Sequence, residues 1–332
     1  MNGFRDIIGQ EMSIKHIGDA VRTGRAAHAY IIDGEKGMGK KMLSAAFAKA
    51  LLCEKPAEER EDGEPCGVCH SCIMAESGNH PDLIYVTHEK QGSISVDEIR
   101  IQVVNDVLIK PYSSARKIYI IPDACLMTAE AQNALLKTLE EPPSYITIFL
   151  LADNREMLLP TIVSRAVCLS MRALKTEDII SYLQREKGHS PYETETAAYF
   201  ARGNLGKAML LAEDEDFGEL FEEVMKVLSG VREMTDVMIY EAASAAAGFK
   251  EKKDEYLGIL MLWFRDVLYL KSGGDREKVV FLNRLHETEL SAERYSYEQL
   301  GCIIEAIKTA GSRMKSNVNP EYTYEMLFTA MR

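Results

Sequence analysis

Five short runs in the first half of the chain are almost continuously apolar: Ala29–Asp33, Leu83–Val86, Ile118–Pro122, Thr147–Leu151 and Val167–Leu169. Runs without polar alternation are what strands buried on both faces look like, and a parallel sheet is their usual setting. Between them, apolar residues recur at helical spacing, for example over Lys41–Leu52 and Val96–Leu108. Strands alternating with helices predict a doubly wound α/β domain over residues 1–171.

The pattern changes after Ser170. No strand signal follows, and amphipathic helical spacing continues to the C-terminus. A small helical unit is expected over 172–213, closing with Gly203-Asn204-Leu205-Gly206. The acidic run Glu213-Asp214-Glu215-Asp216 reads as a linker or an exposed helix start. An all-helical unit is expected over 214–332, where Leu260, Trp263, Phe264 and Val267 form a core stripe.

Charge narrows the function classes. The chain has 39 Lys and Arg against 51 Asp and Glu, a net charge of −12. A protein that grips DNA alone usually carries a basic excess to neutralise phosphates, so work on nucleic acid would be shared within a complex. No apolar run reaches the roughly 20 residues a membrane helix needs. The opening Met1–Asp6 lacks a secretory pattern, and a cytoplasmic location is expected.

Candidate chemistry begins where Ala29–Asp33 runs into Gly34-Glu35-Lys36-Gly37-Met38-Gly39-Lys40-Lys41. Gly34, Gly37 and Gly39 permit a tight turn with inward N–H groups, the following helix adds its positive end, and Lys40 adds a mobile charge for phosphates. The pattern calls next for a hydroxyl to hold Mg²⁺, but the residue is Lys41, whose charge repels the cation. The strand Ile118–Pro122 ends in Asp123, suited to a metal ion. Ala124 follows it where a glutamate would orient the attacking water, a loss of about 10²–10⁴ in rate. ATP is a possible ligand of this loop, bound but not hydrolysed.

Seven cysteines in a reducing compartment argue for metal or free thiols. Cys66, Cys69 and Cys72 lie at two-residue gaps, and Cys53 ends the preceding helix, four thiolates that suit tetrahedral zinc. An iron–sulfur run would want another cysteine after a three-residue gap, where Glu76 stands. His70 could replace one thiolate but reads as solvent-facing. Cys125, Cys168 and Cys302 are isolated and expected to pack as small hydrophobes.

Together these features resemble the bacterial clamp-loader ATPase family, which has an AAA+ fold. The cysteine module after the phosphate-loop helix marks that family's bacterial replication branch. Asp6-Ile7-Ile8-Gly9-Gln10, His28-Ala29-Tyr30 and Gln132–Pro143 are similar to further family signatures, and Asn317-Val318-Asn319-Pro320 to one of its delta-prime branch. Thr128 is placed to cap the helix that carries the third of these, with Ala131, Ala134, Leu135 and Leu139 facing the core.

The resemblance implies roles for single residues. Ser164-Arg165-Ala166 stands where the family has Ser-Arg-Cys, and Arg165 would act on ATP held by a neighbouring subunit. Asn154 stands at the sensor position after the fourth strand. Lys207 stands at the second sensor, where the ATPase members place arginine. Loss of the groups needed for its own chemistry, with the arginine retained, is the delta-prime pattern. It implies a subunit without appreciable turnover, assembled with delta and tau or gamma subunits into a ring that loads a sliding clamp onto primed DNA. Two alternatives are a tau- or gamma-like active ATPase, which hydrolysis by the isolated chain would reveal, and a stand-alone zinc-containing DNA binder, which salt-sensitive binding would reveal.

Overall fold

The computed structural model describes residues 3–89, 92–187, 191–316 and 318–332. The chain divides into two compact units, Met1–Tyr182 with Arg202–Lys207, and Leu183–Ala201 with Ala208–Arg332. The 172–213 stretch is thus shared between them.

In the first unit, strands β1 (Ala29–Asp33), β2 (Leu83–Tyr85), β3 (Lys117–Ile121), β4 (Ile146–Ala152) and β5 (Val167–Ser170) form one sheet. Its order is β2-β3-β4-β1-β5 and every pair is parallel. Helices α1 (Glu11–Arg22), α2 (Lys40–Leu52), α3 (His70–Glu76), α4 (Val96–Ile99), α5 (Ala129–Glu140) and α6 (Pro160–Val163) complete the layers. This is the doubly wound parallel α/β architecture expected from the sequence. Strand alternation sends Tyr30, Ile32 and Phe149 into one core with Phe47 of α2, and Ile31, Ile148 and Leu150 into another with Leu135 of α5. The rings of Tyr30, Phe47 and Phe149 stand with centroids 4.9–5.5 Å apart, which seats α2 on the sheet.

The stretch expected as one helix over 96–108 is instead α4, a π turn over Arg100–Val104 and a 3₁₀ turn over Asp106–Leu108. Its buried residues explain the departure. Ile99, Val103 and Val107 recur every fourth position, a spacing that drifts around an α-helix and that a wider turn keeps on one side.

Several family signatures turn out to be ties between loops. Gln10 is buried and its amide pairs with the backbone of Arg172, donating to the carbonyl at 2.8 Å and accepting from the N–H at 2.9 Å. Gln132 donates to the Met127 carbonyl and accepts from the Leu159 N–H at 2.7 Å. Thr128 caps α5 as expected by accepting from the Ala131 N–H.

Among the described residues no strand follows Ser170. The second unit contains α8 (Pro191–Ala201), α10 (Glu215–Gly230), α11 (Asp236–Gly248), α12 (Lys253–Lys271), α13 (Leu285–Arg294), α14 (Tyr297–Lys315) and α15 (Pro320–Met331); α7 (Thr176–Lys187) and α9 (Leu205–Glu213) cross the division between units. The stripe of Leu260, Trp263, Phe264 and Val267 is buried in its core. Asn319 caps α15 and Pro320 opens it, the physical content of that signature, whereas Asn317 lies outside the described residues. Cys125 and Cys168 are partly buried as expected. Cys302 is exposed on α14, against expectation, because it falls between the buried positions Leu300 and Ile303.

Asp82, 1% exposed, accepts from the N–H groups of Tyr112, Ser113 and Ser114 and the Ser113 hydroxyl, pinning the loop before β3. Burial alone would raise its carboxyl, but these donors hold it below the usual range. A depressed folded-state pKa contributes stability present above the unfolded value and lost as pH falls through the folded one. Asp82→Asn should therefore cost roughly 1–3 kcal/mol at neutral pH. The difference from the parent chain should shrink below pH 4, read by urea unfolding across a pH series.

Candidate functional site

Phosphate chemistry on a parallel sheet belongs at the carboxyl ends of the strands, and this is where the candidates gather. β1 ends at Asp33, whose carbonyl accepts from Met171 N–H at 2.7 Å and whose carboxylate accepts from the Ser170 hydroxyl at 2.9 Å. Gly34 N–H continues the ladder to the Ala152 carbonyl at 3.1 Å, so the loop leaves β1 beside the end of β4. Gly34, Gly37 and Gly39 all take positive φ, and Gly39 is the residue from which α2 starts. Only glycine makes these bends without strain.

Within the loop, Lys40 is nearly enclosed, its side chain 11% exposed. Its ammonium donates to the Gly34 carbonyl and, at 2.6 Å, to the Asp153 carboxylate. Lys41 is exposed on the first turn of α2, and the Ser44 hydroxyl donates to the Lys41 carbonyl at 3.0 Å, so it is turned into its own helix. Asp123 sits exposed at the end of β3 in a left-handed conformation, and Ala124 after it is buried.

Sequence reasoning placed a sensor at Asn154. Its side chain accepts from the Glu156 N–H at 2.9 Å and caps the local turn. The residue that reaches Lys40 is Asp153, one position earlier; the end of the apolar run that becomes β4 marks the place without saying which of the two adjacent polar residues faces the loop. The 203–207 turn closes over the loop. Asn204 donates to the Lys36 carbonyl at 2.8 Å, and Gly206 N–H donates to the Gly37 carbonyl at 3.0 Å. Lys207 contributes its backbone N–H to Asn204 and leaves its side chain exposed.

Arg165 lies between α6 and β5. Its guanidinium donates to the Thr161 carbonyl at 2.9 Å and the Ser164 hydroxyl at 3.2 Å, and pairs with Glu140 at 2.8 Å. A partly exposed ion pair of this kind is worth about 1 kcal/mol or less.

The four cysteines meet around one point. Cys53 ends α2, Cys69 caps α3, and Gly67 takes positive φ between them. All four sulfurs lie within 4.8 Å of one another, with Cys66–Cys72 and Cys53–Cys69 at 4.0 Å. Disulfide bonding needs about 2.05 Å. A tetrahedral ion with 2.3 Å metal–sulfur bonds asks for edges of about 3.8 Å, which this cluster approaches. N–H groups of Cys66, Cys69 and Cys72 point at the sulfurs of Cys53, Cys66 and Cys69. Burial opposes ionisation of Cys66, yet the Val68 and Cys69 N–H groups and the Cys53 thiol draw it down to about 6. Burial and the neighbouring Cys69 thiol push Cys72 up. Four crowded thiols cannot all ionise unaided; a bound cation resolves the conflict, so the cluster can hold a metal ion. His70 is exposed, as expected.

A family model described as DNA polymerase III, delta subunit, matches residues 9–175. DNA polymerase III subunit delta′ of Bacillus subtilis is 30% identical over 322 residues, covering 96% of this chain and 94% of its own. The chain belongs to this family. DNA polymerase III subunit tau of Escherichia coli is 29% identical over 284 residues, 77% of this chain but 43% of tau. A solved DNA polymerase III gamma-subunit-related protein from Thermotoga maritima covers 97% of this chain and 98% of its own at 18% identity, with a TM-score of 0.48.

Gly37 offers a direct check on the closed loop. An added Cβ would stand 2.6 Å from Asn204 Oδ1, at a φ of +95°. Gly37→Ala should lose roughly 1–3 kcal/mol in chemical unfolding. Gly24→Ala, also at positive φ but with nothing within 4 Å, supplies the comparison for backbone strain alone. Equal losses would mean that the Asn204 contact yields freely.

Proposed function

We propose that the chain is a delta-prime-type subunit of a bacterial clamp loader, a cytoplasmic AAA+ protein that serves its neighbour's ATP site rather than its own. One observation carries this reading. The chain keeps Arg165, while Lys41 stands for the hydroxyl in its own loop and Ala124 for the glutamate after β3. A guanidinium acting in trans needs reach and permanent charge, not a local nucleotide. The match to subunit delta′ over nearly the whole of both chains supports the same assignment.

The partners on this reading are the tau or gamma and delta subunits, and through the complex a sliding clamp and primer-template DNA. Residues 172–213 would act as the lid and 214–332 as the collar domain. Exposed Val237, Met238 and Tyr240 on α11, with Tyr322 and Met326 on α15, leave apolar surface suited to a collar. No described helix is long and apolar enough to cross a membrane. At its own loop, Gly34, Gly37, Gly39, Lys40, Lys41, Asp123, Asn154 and Lys207 make a degenerate nucleotide site that does not hydrolyse ATP.

Zinc is the metal proposed for Cys53, Cys66, Cys69 and Cys72, with a structural role because all four positions are filled by protein. The insert is tied to α2 through the Lys49–Glu76 ion pair and to the N-terminal segment through Glu64, which accepts from the Phe4 and Arg5 N–H groups. Metal analysis of reduced protein should give one zinc per chain, and its removal should lower the melting temperature. Iron, or a metal-free chain of unchanged stability, would overturn the assignment.

The trans role is tested in a reconstituted loader. Arg165→Ala should leave folding, zinc content and ring assembly intact while slowing clamp-stimulated hydrolysis and clamp loading. Arginine fingers are worth about 10³–10⁵ at a single site, and intact sites elsewhere in the ring will dilute the loss. Clamp loading at the unmodified rate would show Arg165 to be a surface residue.

A further inference from the structure

We infer that Asp153 is a built-in substitute for phosphate in the 34–40 loop, and that this carboxylate excludes polyphosphate from it. The inference rests on reading that loop as a disused nucleotide site. A phosphate loop concentrates positive potential in a small space, from inward N–H groups, a helix N-terminus and the lysine. An enclosed ammonium needs a counter-charge. Here the chain supplies one itself, through the 2.6 Å pair between Lys40 and Asp153.

The position of Asp153 is set by the sheet. Gly34 N–H is bonded to the Ala152 carbonyl, so the residue after Ala152 leaves β4 beside the loop. Asn154 is engaged in capping the next turn, which leaves Asp153 as the side chain that turns back to Lys40. The opposite side of the loop is held by the 203–207 turn. Asn204, 3% exposed, binds the Lys36 carbonyl, and Gly206 binds that of Gly37. Incoming polyphosphate would have to take Lys40 from Asp153 and then sit beside the displaced carboxylate.

This separates two defects that look alike in the sequence. Lys41 and Ala124 remove groups needed for Mg²⁺ and for water, which matter for hydrolysis. Neither prevents a diphosphate from resting on loop N–H groups and Lys40 without metal. Asp153 acts on binding itself.

The test is binding of a fluorescent ADP analogue and of inorganic pyrophosphate to the full chain, without Mg²⁺. The unmodified chain should show no saturable binding. Asp153→Asn, or Asp153→Ala where asparagine still engages the lysine, should bind saturably, at least about tenfold more tightly than the limit set by the unmodified chain. Adding Lys40→Ala should abolish the gain. Asp153 is half exposed, so the neutral variants should fold, as thermal melts will show. Equal binding by the unmodified chain and both neutral variants would overturn the inference, and so would no binding by any of them. Neither result bears on Arg165, whose role is read separately in the loader with Asp153 intact.

Discussion

The site depends on the placement of β1. This strand is hydrogen-bonded on both edges, to β4 and β5, and covered on both faces. A strand so enclosed can leave the sheet only at its carboxyl end, where its backbone groups must find new partners. Gly34 N–H takes the Ala152 carbonyl, and the Asp33 carbonyl takes Met171 N–H. Those two bonds set the ends of β4 and β5 against the start of the glycine-rich 34–40 loop. Asp153 therefore faces Lys40. The Met171–Arg172 segment that leaves β5 is in turn bound by Gln10.

Much of this was legible in the sequence, for reasons that differ from element to element. The strands were visible because burial on both faces leaves no polar position to blur the pattern, and β1 was located to the residue. The cysteine module was visible because three thiols at two-residue gaps, with a glycine between the first two, are a spacing that suits a metal ion. The break in the 96–108 helix was not foreseen, since apolar spacing of four satisfies a helical pattern while drifting around an ideal helix. Exposure of Cys302 was hidden for a related reason, because a single apolar residue beside a buried stripe does not reveal its own angle.

Asp153 and Asn154 show where motif reasoning reaches its limit. Asn154 and Asp153 are adjacent and both polar, and nothing in the local sequence says which will face the loop. The register between β4 and β1 decides it, and that depends on residues more than a hundred positions apart. Family signatures were easier to place than to explain. Gln10, Gln132 and Asn319 proved to be hydrogen-bonding anchors, which fix loops and a helix start without touching the chemistry.

If the chain is the delta-prime-type subunit proposed, its loss and retention of groups follow one physical division. Groups that act on a nucleotide in cis require one another: a magnesium ligand is of little use without a water-positioning carboxylate, and neither helps if the lysine is already neutralised. Once one was replaced, little would hold the others. The fold that carried them is under a separate constraint, because the glycines, Gln10 and Asn204 support the sheet edge and the turn above it. Arg165 depends on that edge for its position but not on the nucleotide chemistry within it. On the proposed reading, an arginine serving a neighbour can therefore persist beside a disabled loop, provided the loop keeps its shape, and an internal carboxylate on Lys40 would let it do so without a ligand.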